Sequence, residues 1–332
     1  MWDVPLDWYD LILDARKALE DNKHLLEKAE NVHSIEMDPG DVDGENPHLV
    51  VGLDENKKAE INSRDLQLQS DDIRVVFEEE PKPDTIEDSI SAQSSIIDPD
   101  PCGDLWTSGP IPGGLGVVIG DALGTLTPSV YSLQDRKSGW ITNSHVASYA
   151  TEKCGSDLIG IDAEHGGEKI GEVILVDHDR DFVVIEATES RPPSGQVVLP
   201  SDHDTAYDIN GTMSKDGFDT FAGEGWDVKK VGTTSCETSG TPHRRGARVT
   251  SKVNDYCMTP GIPYTDQCSW GSAINDIRPG DSGSLTFGAR PDSINHLAMC
   301  VNISFTFANR VHGTPGWVIN RLSGYEWPVP IA

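Results

Sequence analysis

Apolar residues follow two different patterns along this chain. Over residues 6–30, Leu6, Tyr9, Leu13, Leu19, Leu25 and Leu26 recur among charges at mostly helical spacing and predict an amphipathic helix. The run from Glu36 to Asn46 is acidic, carries Pro39, Gly40 and Gly44, and reads as a linker. Residues 48–53 (His-Leu-Val-Val-Gly-Leu) and 73–78 (Ile-Arg-Val-Val-Phe-Glu) predict two strands separated by a polar stretch. The acidic, Ser- and Pro-rich residues 79–101 read as a loosely ordered connector. Beyond residue 110 or so the pattern changes, and short apolar runs alternate with turn signals at 116–119, 139–142, 171–176, 182–186, 228–232, 247–253, 284–287 and 297–307. Many short strands with little helix predict an all-β sandwich or barrel pair, closed by a short helix within Asn320–Trp327. The expected organisation is a helix and acidic linker (1–46), a small β-containing segment plus disordered connector (47–101), and a large β domain (102–332).

Composition sharpens this division. The chain has 332 residues and a formal charge of −29. Residues 1–101 hold 27 acids against 9 bases, a net −18, so the remaining −11 is spread over more than twice the length. Such a field repels phosphate backbones and anionic membranes, so neither nucleic acid nor membrane is an expected partner. No stretch approaches the roughly 18 apolar residues needed to span a bilayer. The opening Met1-Trp2-Asp3-Val4-Pro5 has no basic region followed by an apolar core. No secretory leader is therefore expected, and the expected setting is intracellular, cytoplasmic or nuclear. In that setting the six cysteines, Cys102, Cys154, Cys236, Cys257, Cys268 and Cys300, are expected as free thiols. None forms a Cys-x-x-Cys pair, so no metal is expected, and no cofactor pattern is present.

Three segments carry candidate chemistry. In Arg278-Pro279-Gly280-Asp281-Ser282-Gly283-Ser284-Leu285, a serine lies between glycines that permit a tight turn, aiming the amides of Gly280 and Ser282 at one point. A serine hydroxyl needs an adjacent base to become a nucleophile, and donors for the oxyanion that its attack creates. Alone the segment is equally a polar turn. Trp140-Ile141-Thr142-Asn143-Ser144-His145-Val146 sets a histidine directly after a predicted strand. Asp177-His178-Asp179-Arg180-Asp181-Phe182-Val183-Val184-Ile185 sets an acid at the mouth of another. Asp177 and Asp179 compete with Asp181 for the acid's role, and only Asp181 directly precedes the apolar run. The small basic cluster Arg244, Arg245 and Arg248 reads as a solvated turn rather than a nucleic-acid site.

The order His, Asp, Ser with these flanks resembles the trypsin/chymotrypsin superfamily over residues 110–330 or thereabouts, and the match is to a known template. Pro315-Gly316-Trp317-Val318-Ile319-Asn320-Arg321-Leu322 resembles that fold's closing strand and helix. Gly124-Thr125-Leu126, the Lys230-x-Gly232-x-Thr234 spacing and Ser284 resemble an intracellular branch that includes the plant narrow-leaf protease and bacterial relatives, and residues 47–83 weakly resemble that branch's upstream β segment. The resemblance implies a two-barrel fold with an acidic N-terminal α/β extension. It implies a serine endopeptidase acting on protein or peptide substrates through His145, Asp181 and Ser282, with the oxyanion held by the amides of Gly280 and Ser282. Asp276, six positions before Ser282, resembles the floor of the primary specificity pocket and would select Lys or Arg; the alternative is a loop residue paired with Arg278. Val146 and Arg278 stand where secreted relatives carry cysteines, and no activation-cleavage site is visible. Asp281 must then find a donor other than a new N-terminus, or the oxyanion loop is unformed at rest. A catalytically silent binding module of the same fold is the alternative reading.

Overall fold

The computed structural model describes residues 5–23, 32–42, 44–54, 73–80, 102, 106–199, 201–249, 257, 263–307 and 310–327. Within these, strands assemble into two sheets of eight and thirteen strands. The first holds the strands Lys137–Thr142, Glu168–Asp177 and Phe182–Ala187; the second holds Val228–Gly232, Leu285–Gly288 and His296–Phe307. This is an all-β architecture of two sheets, as a barrel pair requires, with a helical and β-containing N-terminal extension.

The run Phe182-Val183-Val184-Ile185 shows why the site lies where it does. Successive side chains of a strand point to opposite faces. Val183 and Ile185 therefore enter the core of the first sheet with Trp140, while Phe182 and Val184 enter a second core shared with Leu285, Phe287 and Val301 of the other sheet. A strand buried on both faces reads as a continuous apolar run, and this one fixes its preceding turn at the junction of the two halves. The chain end returns across that junction: helix Gly316–Ser323 leads into Tyr325–Glu326, which pairs with Val130–Ser132 of the first sheet.

The N-terminal strands extend the second sheet. Strand β1 (Val32–Asp38) pairs antiparallel with Pro242–Val249, β2 (His48–Asp54) pairs with β1, and β3 (Arg74–Glu80) runs parallel beside β2. Glu36–Asp38, read from sequence as linker, complete β1. Helix α1 (Leu6–Asn22) covers the new strands. Its buried stripe is Trp8, Ile12, Ala15, Leu19 and Asn22, packed with Ile35, Met37, Leu49 and Val51. Leu6 and Leu13, expected on the apolar face, are instead 82% and 43% exposed. A stripe at i, i+4, i+7, i+11 keeps one side of a 3.6-residue helix, and the leucines alone did not mark it. Residues 24–30 of the predicted helix and 81–101 of the predicted connector lie outside the described residues.

Two sequence expectations are overturned here. Arg244 and Arg245, read as a solvated turn, are each only 5% exposed. Arg244 forms a two-pronged pair with Glu78 (2.8 Å for each prong) and a bond to Asp38 (3.0 Å). Arg245 meets Asp219 (2.8 and 3.0 Å), which also takes Arg16 of α1 (3.0 and 2.7 Å). Asp38 and Glu78 lie 206 and 166 positions from Arg244, and Asp219 lies 26 from Arg245, so neighbouring sequence could not reveal them. Likewise four of the six cysteines are cross-linked: Cys102–Cys236 across 134 residues and Cys154–Cys257 across 103, with Cα separations of 5.3 and 5.2 Å. Only Cys268 and Cys300, both buried, are free. Disulfides are a feature of oxidising compartments, so the free thiols expected from an intracellular setting are corrected for these four residues.

Asp219 is 1% exposed and sits between two guanidinium groups. Asp219→Ala leaves the buried Arg245 without its acid, while Arg16, 17% exposed, keeps Asp216 at 2.6 Å; a loss of about 3 kcal/mol is expected for the broken buried pair. Urea unfolding followed by tryptophan fluorescence measures it; an unchanged midpoint would show that the N-terminal segment is not held by this cluster.

Candidate active site

His145 opens the helix Ser144–Thr151, which follows directly on the strand Lys137–Thr142. Asp181 ends the turn between Glu168–Asp177 and Phe182–Ala187. Both belong to the first sheet. Ser282 stands in the loop before Leu285–Gly288 in the second. The three are brought together in line: His145 Nδ1 lies 2.7 Å from Asp181 Oδ2, and His145 Nε2 lies 2.8 Å from Ser282 Oγ. With Nδ1 protonated, the imidazole donates to the carboxylate and its Nε2 accepts the serine hydroxyl. Asp177, the competing acid, is turned to Arg180 instead, through the Arg180 N–H (3.0 Å) and guanidinium (3.3 Å).

Asp181 has a φ of 54°, a left-handed conformation that non-glycine residues rarely adopt. Its neighbours hold it there. Asn143 Nδ2 donates to its carbonyl (2.7 Å), and the His145 N–H and Ser144 hydroxyl donate to Oδ1 (2.9 Å each). The segment Asn143-Ser144-His145 thus works as one unit around a single carboxylate, with Asn143 and Ser144 as positioning residues that the sequence did not single out. Burial on its own would raise the Asp181 carboxyl, but the charge and hydrogen bonds of His145, with the Ser144 hydroxyl, hold it below the usual carboxylate range.

The serine loop is anchored by its own second acid. Asp281 and Lys230 are both completely buried, with Nζ 2.9 Å from Oδ2. Asp281 also accepts the N–H groups of Thr234 (2.9 Å), Ser235 (3.1 Å) and Arg278 (2.9 Å) and the Ser235 hydroxyl. Burial pulls the Lys230 ammonium below a lysine's ordinary value, with Asp281 opposing the shift. Lys230 is therefore the donor that Asp281 required in place of a new N-terminus, and it belongs to the Lys230-x-Gly232-x-Thr234 spacing noted in the sequence. Gly280 has a φ of +98°, and a Cβ there would come within 2.3 Å of Thr234 Oγ1, so only glycine fits. Its carbonyl accepts the Thr125 hydroxyl (2.8 Å). At the loop's exit, Asn302 donates through Nδ2 to the Ser284 carbonyl (2.9 Å), while its Oδ1 accepts Trp270 Nε1 (2.9 Å) and Thr286 Oγ1 (2.8 Å). Asn302 carried no sequence signal; its role exists only once three strands meet.

Asp276 is 9% exposed and ends the helical turn Ala273–Asp276. Its Oδ2 accepts the Ser272 N–H (2.6 Å), and its carbonyl accepts Thr238 Oγ1 (3.0 Å). The Arg278 side chain is exposed. Ser282 is 0% and His145 3% exposed, so the reacting groups are sealed at rest. Among the described residues no cluster of three or more His, Cys, Asp or Glu is set to hold a metal, and no helix is long and apolar enough to cross a membrane.

No protein-family model and no curated protein matches the chain. Solved structures do resemble it. A glutamic acid-specific serine protease, described as using a histidine triad in substrate binding, matches at 17% identity over 65% of this chain and 99% of its own, with a TM-score of 0.47. Thermobifida fusca protease A matches at 16% identity over 66% and 98%, TM-score 0.46. The chymotrypsin of Cellulomonas bogoriensis matches at 15% over 65% and 97%, TM-score 0.44. These neighbours are serine proteases of the trypsin/chymotrypsin type, and at these identities the likeness concerns the fold.

Asp181 yields a pH dependence of stability. Its folded-state value lies below the unfolded one of about 3.9. The stabilisation is therefore complete above pH 4 or so and is lost as pH falls through the depressed folded value. Urea midpoints measured at pH 7 and pH 3 are expected to fall more for the native chain than for Asp181→Asn; equal falls would show that this carboxyl is not perturbed.

Proposed function

We propose that this chain is a serine endopeptidase that cleaves protein or peptide substrates through an acyl-enzyme. The supporting observation is the unbroken line from Ser282 Oγ through His145 to Asp181, at 2.8 and 2.7 Å. In this reading Ser282 attacks the peptide carbonyl, and His145 takes its proton and returns it to the leaving amine. Asp181 holds the tautomer and stabilises the imidazolium. The amides of Gly280 and Ser282 receive the oxyanion, supported by the left-handed Gly280 and by the fully bonded Asp281 between them. The Lys230–Asp281 pair supports placing the chain in the branch that resembles the plant narrow-leaf protease and its bacterial relatives, since Lys230 is part of the spacing that carries the resemblance.

Ser282→Ala is expected to abolish peptide hydrolysis and labelling by a fluorophosphonate probe while leaving the unfolding midpoint near that of the native chain. Because such groups act as a unit, His145→Ala should cost on the order of 10⁴-fold or more in kcat. Hydrolysis surviving in Ser282→Ala refutes the assignment. The complete burial of Ser282 favours the alternative of a silent binding module, and the probe separates the two, since only an activated serine reacts.

Asp276 supplies the proposed specificity, a preference for Lys or Arg before the cut. It is supported by a buried carboxylate that retains lone pairs beyond the one facing Ser272. A peptide library varied before the scissile bond tests it. Asp276→Ala is expected to reduce cleavage after Lys and Arg relative to Leu on the order of 10²-fold, the lower end of the effect of unpairing one buried charge. Equal cleavage after Lys, Arg, Leu and Ala by the native chain rules the preference out.

A further inference from the structure

The geometry points to the Cys102–Cys236 disulfide as a redox latch on the oxyanion loop, an inference that rests on the serine-peptidase reading. Most of the donors to Asp281 come from one turn. The antiparallel strands Val228–Gly232 and Cys236–Gly240 are joined by Thr233–Ser235, with Gly232 opposite Cys236. Lys230 leaves the first strand; Thr234 and Ser235 form the turn. Gly232 makes room for the acid, since a Cβ there would stand 2.2 Å from Asp281 Oδ1. A second link runs parallel to the first: the Thr233 N–H donates to Thr125 Oγ1 (3.1 Å), and the Thr125 hydroxyl donates to the Gly280 carbonyl (2.8 Å). Any displacement of the turn therefore reaches both Asp281 and Gly280, the two residues that lead into the Ser282 amide.

Cys236 is the residue that ends this turn. Its φ of 60° is a left-handed conformation, disfavoured for any side chain with a Cβ, and its sulfur is bonded to Cys102. Cys102 is 1% exposed and lies 134 residues upstream, so it arrives from a different part of the molecule and ties the turn to a buried point. Cys236 is half-buried while Cys102 is buried, so of the two cysteines Cys236 lies nearer to solvent. The other disulfide, Cys154–Cys257, joins no residue that touches Asp281 or Gly280 in the bonds described.

The switching step is thiol–disulfide exchange with an external dithiol. One thiolate attacks Cys236 Sγ, and Cys102 leaves as a thiolate that takes up a proton. The second thiol then resolves the mixed disulfide. The dithiol is oxidised to a cyclic disulfide, and Cys102 and Cys236 gain the two electrons as free thiols. Once untied, Cys236 relaxes from its left-handed conformation, the Thr234 and Ser235 amides leave Asp281, and the oxyanion loop loses its support. The oxidised form is the active one.

The test uses the full chain, oxidised and then treated with dithiothreitol. Peptide hydrolysis is read as kcat and KM, and amide exchange is followed by mass spectrometry over residues 228–240 and 278–284. Reduction of the native chain is expected to lower kcat about 10²-fold, the scale of losing an oxyanion donor, with KM little changed. Exchange should rise in those two segments while far-ultraviolet circular dichroism stays constant. Cys102→Ser/Cys236→Ser should show the low kcat and fast exchange without reductant and should not respond to it. Cys154→Ser/Cys257→Ser should keep the native response. Unchanged exchange in 228–240 and 278–284 on reduction overturns the latch, as does a native kcat in Cys102→Ser/Cys236→Ser. Failure of the oxidised native chain to hydrolyse peptide or label with a fluorophosphonate refutes the peptidase reading instead, and the exchange measurement still decides the latch.

Discussion

Lys230 and Asp281 face each other at 2.9 Å with neither side chain open to solvent. Placing two opposite charges in such a site is unfavourable unless the remaining lone pairs and protons are satisfied, and here they are: the carboxylate receives three backbone N–H groups and a hydroxyl as well as the ammonium. Removing either charge would strand the other. The shape of the loop from Arg278 to Ser284, and with it the orientation of Ser282, depends on that pair being complete. The cation comes from within the folded chain, from the strand Val228–Gly232.

The same logic, on a larger scale, joins the N-terminal third to the rest. The acidic excess of residues 1–101 has the appearance of a solubility device, yet Asp38 and Glu78 are ligands for Arg244. Burial of Arg244 and Arg245 is tolerable only because acids arrive from β1, β3 and helix Lys215–Gly223. Strand β1 also covers the edge of Pro242–Val249, which would otherwise present unpaired backbone groups. Charge and backbone pairing thus act at one seam, and the extension behaves as part of the second sheet.

Legibility from sequence followed the range of the signal. The short apolar runs at 116–119, 182–186 and 228–232 correspond closely to observed strands because a run bounded by turn signals is a local property. The all-β class was readable for that reason, while the two-barrel arrangement was what the family resemblance implied. His145, Asp181 and Ser282 could be named because each sits at the mouth of a strand beside recognisable neighbours, and they lie in contact in the fold. What was not legible depends on distant partners. The bonding of Asn302 by Trp270, the burial of Arg244 beside Asp38 and Glu78, and the pairing of Cys102 with Cys236 all need residues tens to hundreds of positions apart. The helix Ser144–Thr151 was missed for another reason: its β-branched and small residues give little periodicity over eight positions.

The sealing of Ser282 and His145 has a kinetic corollary. A closed site must open before anything larger than water reaches the serine, so the apparent affinity of any ligand is reduced by the fraction of molecules that are open. Raising the concentration of an active-site reagent would then speed capture only until opening becomes the slow step, beyond which the rate levels off at a value that belongs to the protein and not to the reagent. Reagents of very different reactivity would share that ceiling. On the proposed peptidase reading, a substrate chain would meet the same gate, and the frequency of opening would set the upper limit on turnover.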